Sequence, residues 1–422
     1  MNSLKILILS YRSAPFGGGQ GIYVRDLSKS LIDLGHNVTI FSGPPYPFLH
    51  EEVELIESPG LNLFETFSFK DRFYKFINHK NKTLSDVYEF LAVLAGGFPE
   101  MRTFGLRAKK HILKNNYDLI IDNQSISYSM EYIQILTPFI EVIHHPITMD
   151  FKHELETNNN LIYRFSRIRW YSFLKMHKRV APLLKNILTP SHSSKRDIVK
   201  DFKVTPENIS VIHNAVDTNI FKPYSDINKK PYRLITTASA DVPLKGLDFT
   251  LHALSALSLE FKEIELLVIG SPREGGHTER LIKDLDLKTR VNFKTNLTKE
   301  EIAQEYAMSS IAIVSSLYEG FGYPVAEAMA CATPLVATNV ASIPEITGKY
   351  AILIPPKDSY AIADSIRKIF IDPNLYNIKA QEGRKHIQEK FNWTFIGKQY
   401  EELMRKVIKD HKTIIRGNNA NL

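Results

Sequence analysis

Short apolar runs recur along this chain, and each is followed by glycine, proline or polar residues. In the first half these runs cover residues 5–10, 38–41, 118–122 and 140–143. In the second half they cover residues 209–212, 232–236, 265–270, 291–293, 311–314, 334–338 and 351–354. Continuous apolar runs of this length are typical of strands buried within a parallel sheet.

Between these runs, apolar residues recur at helical spacing. The first such segment contains Val24, Leu27, Leu31 and Leu34, and Gly35 follows as a helix terminator. Comparable segments cover residues 106–113, 197–202, 247–257, 299–308, 325–330, 360–370 and 393–407. The alternation of buried strand and helix predicts an α/β protein built from doubly wound, Rossmann-like parallel sheets.

Composition narrows the class of protein. The 422 residues suggest two or three domains, and the 44% hydrophobic and 23% charged fractions are those of an ordinary globular protein. A single cysteine excludes an internal disulfide and fits a reducing compartment. We find no signal peptide and no apolar stretch of spanning length, so we expect a cytoplasmic protein, or one held at the inner face of the membrane. The net charge of +7 favours acidic partners such as sugar nucleotides or anionic lipids, and we expect no nucleic-acid partner.

The stretch after the run 311–314 carries the clearest candidate chemistry. Gly320 and Gly322 interrupt regular structure, and Pro324 suits the first turn of a following helix. A strand, a glycine turn and a helix N-terminus together present unpaired backbone N–H groups that can bind an anion. Glu319 and Glu327 flank this turn, where carboxylates are better explained as acceptors for sugar hydroxyls. The alternative is two surface glutamates near a helix start, where negative charge is mildly favoured.

The two glutamates are spaced Glu-x7-Glu within Ser-Ser-Leu-Tyr-Glu-Gly-Phe-Gly-Tyr-Pro-Val-Ala-Glu-Ala-Met-Ala. This stretch resembles the retaining nucleotide-sugar glycosyltransferases of family 4, also called glycosyl transferases group 1. The resemblance implies the GT-B fold, in which two doubly wound domains face a cleft. It also implies that Glu327 bonds the donor ribose. Glu319 would hold hydroxyls of the donor sugar, together with the backbone at Gly320, Phe321 and Gly322.

A glycine run near the N-terminus offers a second candidate site. Gly17-Gly18-Gly19-Gln20-Gly21 follows the first predicted strand, and Ser42-Gly43 stands where an NAD-binding protein would carry Asp or Glu. That difference argues against a dinucleotide oxidoreductase. The resemblance implies that Gly18 and Gly19 close over the donor diphosphate, whereas the simpler interpretation is a tight turn.

Two histidines follow the run 140–143. His144 and His145 stand at the predicted carboxyl end of a strand, where side chains of an α/β sheet reach the ligand crevice. In the family, a histidine at this strand end lies near the reacting sugar, which implies that role for His144, with His145 beside it. The alternative for one of them is a backbone bond at the strand end. Adjacent strand residues point to opposite faces, so the two do not form a metal pair.

Lys245 is the candidate cation for the leaving diphosphate. The family carries a Gly-Arg pair at the preceding strand end and a Lys-Gly pair after it, but this chain has Ser239-Ala240 in place of Gly-Arg. Lys245, the helix start after Pro324 and the glycine loop would then have to neutralise the diphosphate. The alternative is an exposed lysine at a helix start, a position that the helix dipole disfavours.

A basic and aromatic segment follows the two histidines in the sequence. Residues 157–196 contain no Asp or Glu, while arginines, lysines and aromatic residues alternate through 163–185. Such a segment can lie on an anionic membrane. Equally, its aromatic residues can pack on the first domain and leave its cations in water.

We therefore predict a GT-B glycosyltransferase with an acceptor-binding domain at residues 1–188 and a donor-binding domain at residues 189–393. A helix at 394–412 should pack back on the first domain, ahead of a polar tail at 413–422. The predicted reaction moves a hexose from a UDP or GDP sugar to a carbohydrate or lipid-linked acceptor of the cell envelope, without metal or cofactor. Two alternatives remain open: a sugar-nucleotide epimerase or hydrolase, and a non-catalytic sugar-nucleotide-binding protein.

Overall fold

The structure is a computed structural model that describes residues 2–14, 19–64, 66–157, 159–238 and 240–419, with backbone alone for residues 157 and 414–419. The chain divides into two compact units. The first unit comprises Met1–Pro190, Ser194–Ile212 and Gly397–Leu422. The second comprises Ser191–Ser193 and His213–Ile396.

The first unit alternates strands and helices from its start. Its strands are β1 (Lys5–Ser10), β2 (Asn37–Ser42), β3 (Glu54–Glu57), β4 (Leu119–Asn123), β5 (Phe139–Val142), β6 (Ile187–Thr189) and β7 (Ile209–Val211). Its helices are α1 (Gly19–Asp33), α2 (Phe69–Asn78), α3 (Leu84–Leu94), α4 (Glu100–Ile112), α5 (Tyr128–Leu136), α6 (Thr148–Thr157), α7 (Leu161–Trp170), α8 (Leu174–Val180) and α9 (His192–Phe202).

These seven strands form one parallel sheet in the order β3-β2-β1-β4-β5-β6-β7. Ile8 on β1 pairs with Ile40 on β2 and with Ile121 on β4, so the centre of the sheet is apolar and fully buried. The strand order reverses between β1 and β4. In a doubly wound sheet, the loops that follow the strands at such a switch point form the ligand crevice.

The second unit repeats this architecture. Its strands are β8 (Lys230–Thr237), β9 (Glu265–Ile269), β10 (Val291–Lys294), β11 (Ser309–Val314), β12 (Leu335–Thr338) and β13 (Ile352–Ile354). Its helices are α10 (Leu247–Ser258), α11 (His277–Asp284), α12 (Lys299–Met308), α13 (Tyr323–Ala330), α14 (Ile343–Thr347), α15 (Ser359–Ile371) and α16 (Pro373–Lys390).

The second sheet is also parallel, in the order β10-β9-β8-β11-β12-β13. Successive residues of β8 serve opposite faces: Leu234 belongs to one apolar cluster and Ile235 to another. Both faces are therefore covered, as a continuous apolar strand requires. The switch point lies between β8 and β11. The two sheets confirm the predicted α/β, doubly wound fold class.

The last helix is α17 (Trp393–Asn419). From Gly397 onward it belongs to the first unit and packs against the start of the chain. The hydroxyls of Tyr23 and Tyr400 lie 2.8 Å apart in a buried pair. The Arg405 guanidinium donates to the carbonyl of Asn2 at 3.3 Å. A Cβ on Gly397 would lie 2.3 Å from Ser30 Oγ, so any side chain there would displace the Ser30 hydroxyl from this close contact.

The structure differs from the predicted domain limits. We placed the boundary after residue 188, but residues 194–212 belong to the first unit because β7 pairs with β6 at the edge of its sheet. We placed a polar tail at 413–422, but α17 continues to Asn419. The basic segment is not one helix: α7 and α8 are separated by a 3-10 turn at Tyr171–Phe173.

In the described part of the second half, the apolar pattern missed three helices, α11, α14 and α16. Within the described ranges, no helix combines the length and apolarity that crossing a bilayer would require.

Candidate active site

The loops after β8 and β11 are bonded to each other at the switch point of the second sheet. Gly246 has a φ of +64°, and a Cβ there would lie 2.1 Å from the carbonyl oxygen of Ser315. The Ser315 hydroxyl donates to the carbonyl of Gly246 at 2.8 Å. The backbone N–H of Leu317 donates to the carbonyl of Leu244 at 2.7 Å. Glycine is therefore required at 246 for both its backbone conformation and its close packing.

This contact brings Lys245 and Glu319 together. Lys245 Nζ lies 2.7 Å from Glu319 Oε1, and the Ser316 hydroxyl donates to the same oxygen at 2.7 Å. Only 9% of Glu319 is exposed, whereas the Lys245 side chain is 31% exposed. The lysine is thus the solvent-facing member of a bonded ion pair at the carboxyl end of the sheet. The direct bond between them could not be predicted from the sequence, because 74 residues separate the two.

The glycine turn that follows Glu319 is fixed through its carbonyl groups. Ser342 Oγ lies 2.9 Å from the carbonyl oxygen of Glu319 and 2.7 Å from that of Phe321. The Ser191 hydroxyl donates to the carbonyl of Gly320 at 2.8 Å. These buried hydroxyls hold the turn from one side and fix the direction of its peptide groups.

Helix α13 begins at this turn. Gly322 precedes it with a φ of +94°, and a proline occupies its first turn, as the sequence pattern predicted. The first N–H groups of an α-helix have no partner within the helix, and the helix dipole adds partial positive charge there. Together with Lys245, this end of the sheet offers the electrostatic conditions that an anion needs.

Glu327 lies on α13 and is half-buried. Its charge faces Tyr306: burial, and secondarily Glu327, raise the pKa of that phenol well above its usual range. The Tyr306 hydroxyl lies 2.7 Å from the hydroxyl of Thr237, the last residue of β8. Glu327 therefore lies near the end of β8, the strand whose following loop carries Lys245.

Asp241 is a site residue that the sequence did not single out. It follows β8 and accepts the backbone N–H groups of Arg273 at 2.6 Å and Thr278 at 3.0 Å. Burial alone would raise the pKa of Asp241, but these N–H bonds outweigh it and lower that pKa. The carboxylate thus ties the end of β8 to the loop after β9 and to the start of α11.

Ala240 stands in place of the arginine that the resemblance led us to expect. Its side chain is buried in the apolar cluster that includes Leu247 and Leu251. A methyl group suits these surroundings, and Ser239 lies outside the described residues.

In the first unit, His144 follows β5 and is held by the loop after β4. Its Nε2 lies 2.8 Å from Asn123 Oδ1, and its backbone N–H donates to Gln124 Oε1 at 2.8 Å. Asn123 Nδ2 donates to Ser10 Oγ at 3.2 Å, so Oδ1 is the atom that faces the imidazole. His144 must then donate from Nε2, which leaves Nδ1 without a proton.

The surroundings of His144 favour its neutral form. Burial, with a smaller contribution from His145, lowers the pKa of His144 to about 3. Its ring meets the Tyr23 ring edge-on at a centroid distance of 4.6 Å. His145 differs, because its Nε2 lies 3.0 Å from Asp150 Oδ2. His145 therefore has a carboxylate partner at its imidazole, whereas the imidazole of His144 faces an amide.

A buried acid pair supports the loop that holds His144. Asp122 on β4 is in register with Glu141 on β5, and both are fully buried. Burial raises the pKa of both groups, most strongly that of Glu141, where the charge of Asp122 adds to the effect. Asp122 Oδ2 accepts the backbone N–H and the hydroxyl of Ser125, each at 2.8 Å. Glu141 is therefore the member that holds its proton more tightly, and Asp122 fixes the turn after β4.

The remaining predicted residues are placed less fully. Gly19 is the first residue of α1, after β1, whereas Gly18 lies outside the described residues. Among the described residues, we find no cluster of three histidine, cysteine or acidic side chains that could hold a metal ion.

Comparison with known proteins agrees with this architecture. The family model "Glycosyltransferase Family 4" matches residues 17–220, and the model "Glycosyl transferases group 1" matches residues 218–386. One relative, the MMP alpha-(1->4)-mannosyltransferase of Mycolicibacterium hassiacum, is 37% identical over 413 residues, which are 96% of this chain and 98% of that protein.

Solved structures share the fold. The sucrose-phosphate synthase from Thermosynechococcus elongatus has a TM-score of 0.74 at 21% identity, covering 96% of this chain and all of that one. HepE of Anabaena, solved in complex with UDP and glucose, has a TM-score of 0.69 at 18% identity, covering 95% and 99% of the two chains. The chain therefore belongs to glycosyltransferase family 4 and is a glycosyltransferase with the GT-B fold.

Proposed function

We propose that this enzyme transfers an α-mannosyl group from a nucleoside-diphosphate mannose, with retention of configuration, to a carbohydrate or lipid-linked acceptor of the cell envelope. The sugar is inferred from the mannosyltransferase relative, which aligns along nearly the whole chain. Retention and the sugar-nucleotide donor are inferred from the family. The observation that carries the site is the Lys245–Glu319 pair beside the start of α13.

We propose that the donor diphosphate binds at this pair. Lys245 would contact the diphosphate, and Gly320, Phe321 and Gly322 would present backbone N–H groups to the donor. The Lys245 side chain is 31% exposed, so its ammonium group can reorient toward a bound phosphate without leaving a buried position.

The two carboxylates would hold hydroxyl groups of the donor. Glu327 would accept from the ribose, and Glu319 would accept from the mannose. Carboxylates are acceptors of strong, charge-assisted hydrogen bonds, and such bonds orient a sugar ring relative to its leaving group. Glu319 is suited to this task because Ser316 and Lys245 fix its position.

In the proposed reaction, the proton released by the acceptor is taken up by the leaving diphosphate, so no acidic side chain of the protein is needed. The acceptor oxygen forms a bond to the anomeric carbon on the face from which the diphosphate leaves, and its proton passes to the leaving phosphate oxygen. His144 would accept a hydrogen bond from a sugar hydroxyl at Nδ1 in its neutral form, since its lowered pKa opposes a role as an imidazolium acid. Lys245 would stabilise the charge of the leaving group, and no metal ion is required in this scheme.

The test is a donor panel that contains GDP-mannose, UDP-mannose, GDP-glucose, UDP-glucose and UDP-N-acetylglucosamine, each with a mannoside acceptor. We expect turnover with one nucleoside-diphosphate mannose, unaffected by EDTA, and an α-linked product by NMR. Glu327→Ala should raise the KM for the donor at least ten-fold. A β-linked product would exclude retention, and an unchanged KM would exclude the ribose role of Glu327.

The two alternatives are separated by the same assay. An epimerase or hydrolase would consume the donor equally with and without an acceptor, and a non-catalytic protein would bind the nucleotide without consuming it. The intact Lys245, Glu319 and Glu327 favour catalysis, and acceptor-dependent release of the nucleoside diphosphate would establish transfer.

A further inference from the structure

Three helices of the first unit turn an apolar stripe to solvent. In α2, Phe69, Phe73 and Ile77 are exposed at a spacing of four residues, and none of the residues of this helix is buried. Helices α3 and α7 show the same feature. The exposed apolar residues of these two helices are Leu84, Val87, Tyr88 and Leu91 in α3, and Leu161, Ile162, Phe165 and Ile168 in α7.

The exposure is close to complete at some positions: 89% at Leu84 and 83% at Ile162. A surface helix normally turns its apolar stripe toward the core and its polar residues toward water. A large exposed apolar patch on a soluble domain is a sign of an interaction surface. We call the exposed apolar residues of α2, α3 and α7 the outer patch.

The inner sides of these helices pack against one another. The rings of Phe76 on α2 and Phe90 on α3 are stacked with centroids 4.4 Å apart. After α3, a Cβ on Gly96 would lie 2.5 Å from the guanidinium of Arg169 on α7. The ring of Trp170 lies 5.3 Å from that of Phe98. These contacts make α2, α3 and α7 neighbours in the first unit, so their exposed residues lie in the same region of it.

Charge is sorted across the same helices. The acidic residues of α3, Asp86 and Glu89, are buried, and the Arg107 guanidinium lies 3.8 and 3.5 Å from them. In α2, Asp71 is bonded to the Ser68 hydroxyl at the helix start. Basic residues instead accompany the exposed apolar side chains: Lys70, Arg72, Lys75, Lys80 and Lys82 around α2, and Arg164 and Arg169 in α7, where Arg167 is paired with Glu154 at 3.5 Å.

We propose that the outer patch is a docking surface for an anionic lipid bilayer. Helices that combine exposed aromatic and aliphatic side chains with flanking lysine and arginine lie in the membrane interface, with their apolar face among the acyl chains. The basic residues meet the negative surface potential of anionic headgroups. A protein partner or a second copy would have to match both the apolar area and the excess of cations. Of the basic segment at 157–196, α7 belongs to this surface, whereas α8 buries Leu174, Met176 and Val180 in the core.

The test is co-sedimentation of the full chain with vesicles of phosphatidylcholine alone, or of phosphatidylcholine with about a third phosphatidylglycerol. We expect binding to the anionic vesicles that weakens with salt, and at least ten-fold weaker binding to the neutral ones. Equal binding to both compositions would overturn the proposal, because the cations would then contribute nothing.

Matched variants locate the surface. Leu84→Gln with Ile162→Gln should weaken binding at least ten-fold, whereas Ile371→Gln with Leu259→Gln should leave it unchanged, although those side chains in the second unit are similarly exposed. Two double lysine substitutions test the electrostatic contribution to vesicle binding. Lys70→Gln with Lys80→Gln should weaken binding about five-fold per lysine, and Lys262→Gln with Lys288→Gln should not.

Unfolding temperature and enzyme turnover serve as controls for these variants. All of the substituted positions are exposed, so the unfolding temperatures and the turnover of a water-soluble acceptor should stay at the wild-type values. If the wild type fails to bind anionic vesicles and light scattering instead shows a dimer that Leu84→Gln dissociates, the patch serves a second copy of this chain and the proposal is wrong. Vesicle binding does not depend on the donor or the reaction proposed above.

Discussion

Replacing Lys245 by methionine tests whether its pairing with Glu319 is structural or serves the reaction. The change removes one charge and one bond at 2.7 Å, and it leaves Glu319, 9% exposed, with the Ser316 hydroxyl as the remaining partner described above. Because a third of the lysine side chain is exposed, we expect the loss of stability to be modest, about 1–2 kcal/mol. For a domain of this size, that is a fall in unfolding temperature of roughly 3–6 °C.

The loss of activity should be much larger than the loss of stability. If Lys245 stabilises the leaving diphosphate, its removal should lower kcat about 10²- to 10³-fold, the range found when one preorganised donor is lost from an active site. The assay is initial-rate kinetics with saturating donor at a temperature well below the unfolding transition, alongside thermal unfolding of each variant.

A second substitution separates the contribution of Lys245 to stability from its contribution to kcat. Lys245→Met combined with Glu319→Gln removes the uncompensated carboxylate, so the unfolding temperature should recover most of the loss while kcat stays low. As a control, Lys368→Met breaks an exposed pair of the same length, 2.7 Å to Asp364, and should change neither quantity measurably. If Lys245→Met retains kcat within three-fold, or if the double variant regains activity, Lys245 is a structural residue and the reasoning is wrong.

Three further predictions follow from individual contacts. Gly246→Ala should lower the free energy of unfolding by about 1–3 kcal/mol and also lower kcat, since the φ of +64° and the approach to Ser315 both exclude a Cβ; urea unfolding and kinetics measure the two effects. Glu141 binds its proton more tightly in the folded state, so it stabilises the protein below its unfolded pKa and loses that contribution as pH rises through the folded pKa. Glu141→Gln should therefore flatten the alkaline side of a stability profile measured by urea unfolding from pH 5 to 9, and an unchanged slope would contradict the raised pKa. His144→Gln should lower kcat/KM about ten-fold without changing the shape of its pH profile above pH 5, because the pKa of His144 is about 3 and the ring is neutral throughout; a lost inflection near pH 6–7 would show that this pKa is wrong.

The sequence predicted the sheets well because buried parallel strands are short, continuous and apolar. The run 5–10 matches β1 fully, and the predicted strands of the second half correspond to β7–β13 within a few residues. The apolar pattern missed β3, a four-residue edge strand with no fully buried position, and β6, a strand of three residues. The pattern also missed α2 and α3. Their apolar residues are partly exposed to solvent, so the apolar pattern does not mark a face that packs on the core.

The site was predictable only where it is local in sequence. The turn from Glu319 to Pro324 was recognisable because glycine and proline have fixed backbone requirements. The pairing of Asp122 with Glu141, and the bond from Asn123 to His144, depend on strand register. Asp241 was missed for a similar reason, since its partners follow another strand.

The measurement that addresses the central claim most directly is a crystal structure of this chain with the nucleoside diphosphate that the donor panel selects. We predict a diphosphate within hydrogen-bonding distance of Lys245 Nζ and of the backbone at Gly320 to Gly322, with the ribose hydroxyls on the Glu327 carboxylate. A nucleotide bound elsewhere, or a Glu327 carboxylate directed away from the ribose, would contradict the account.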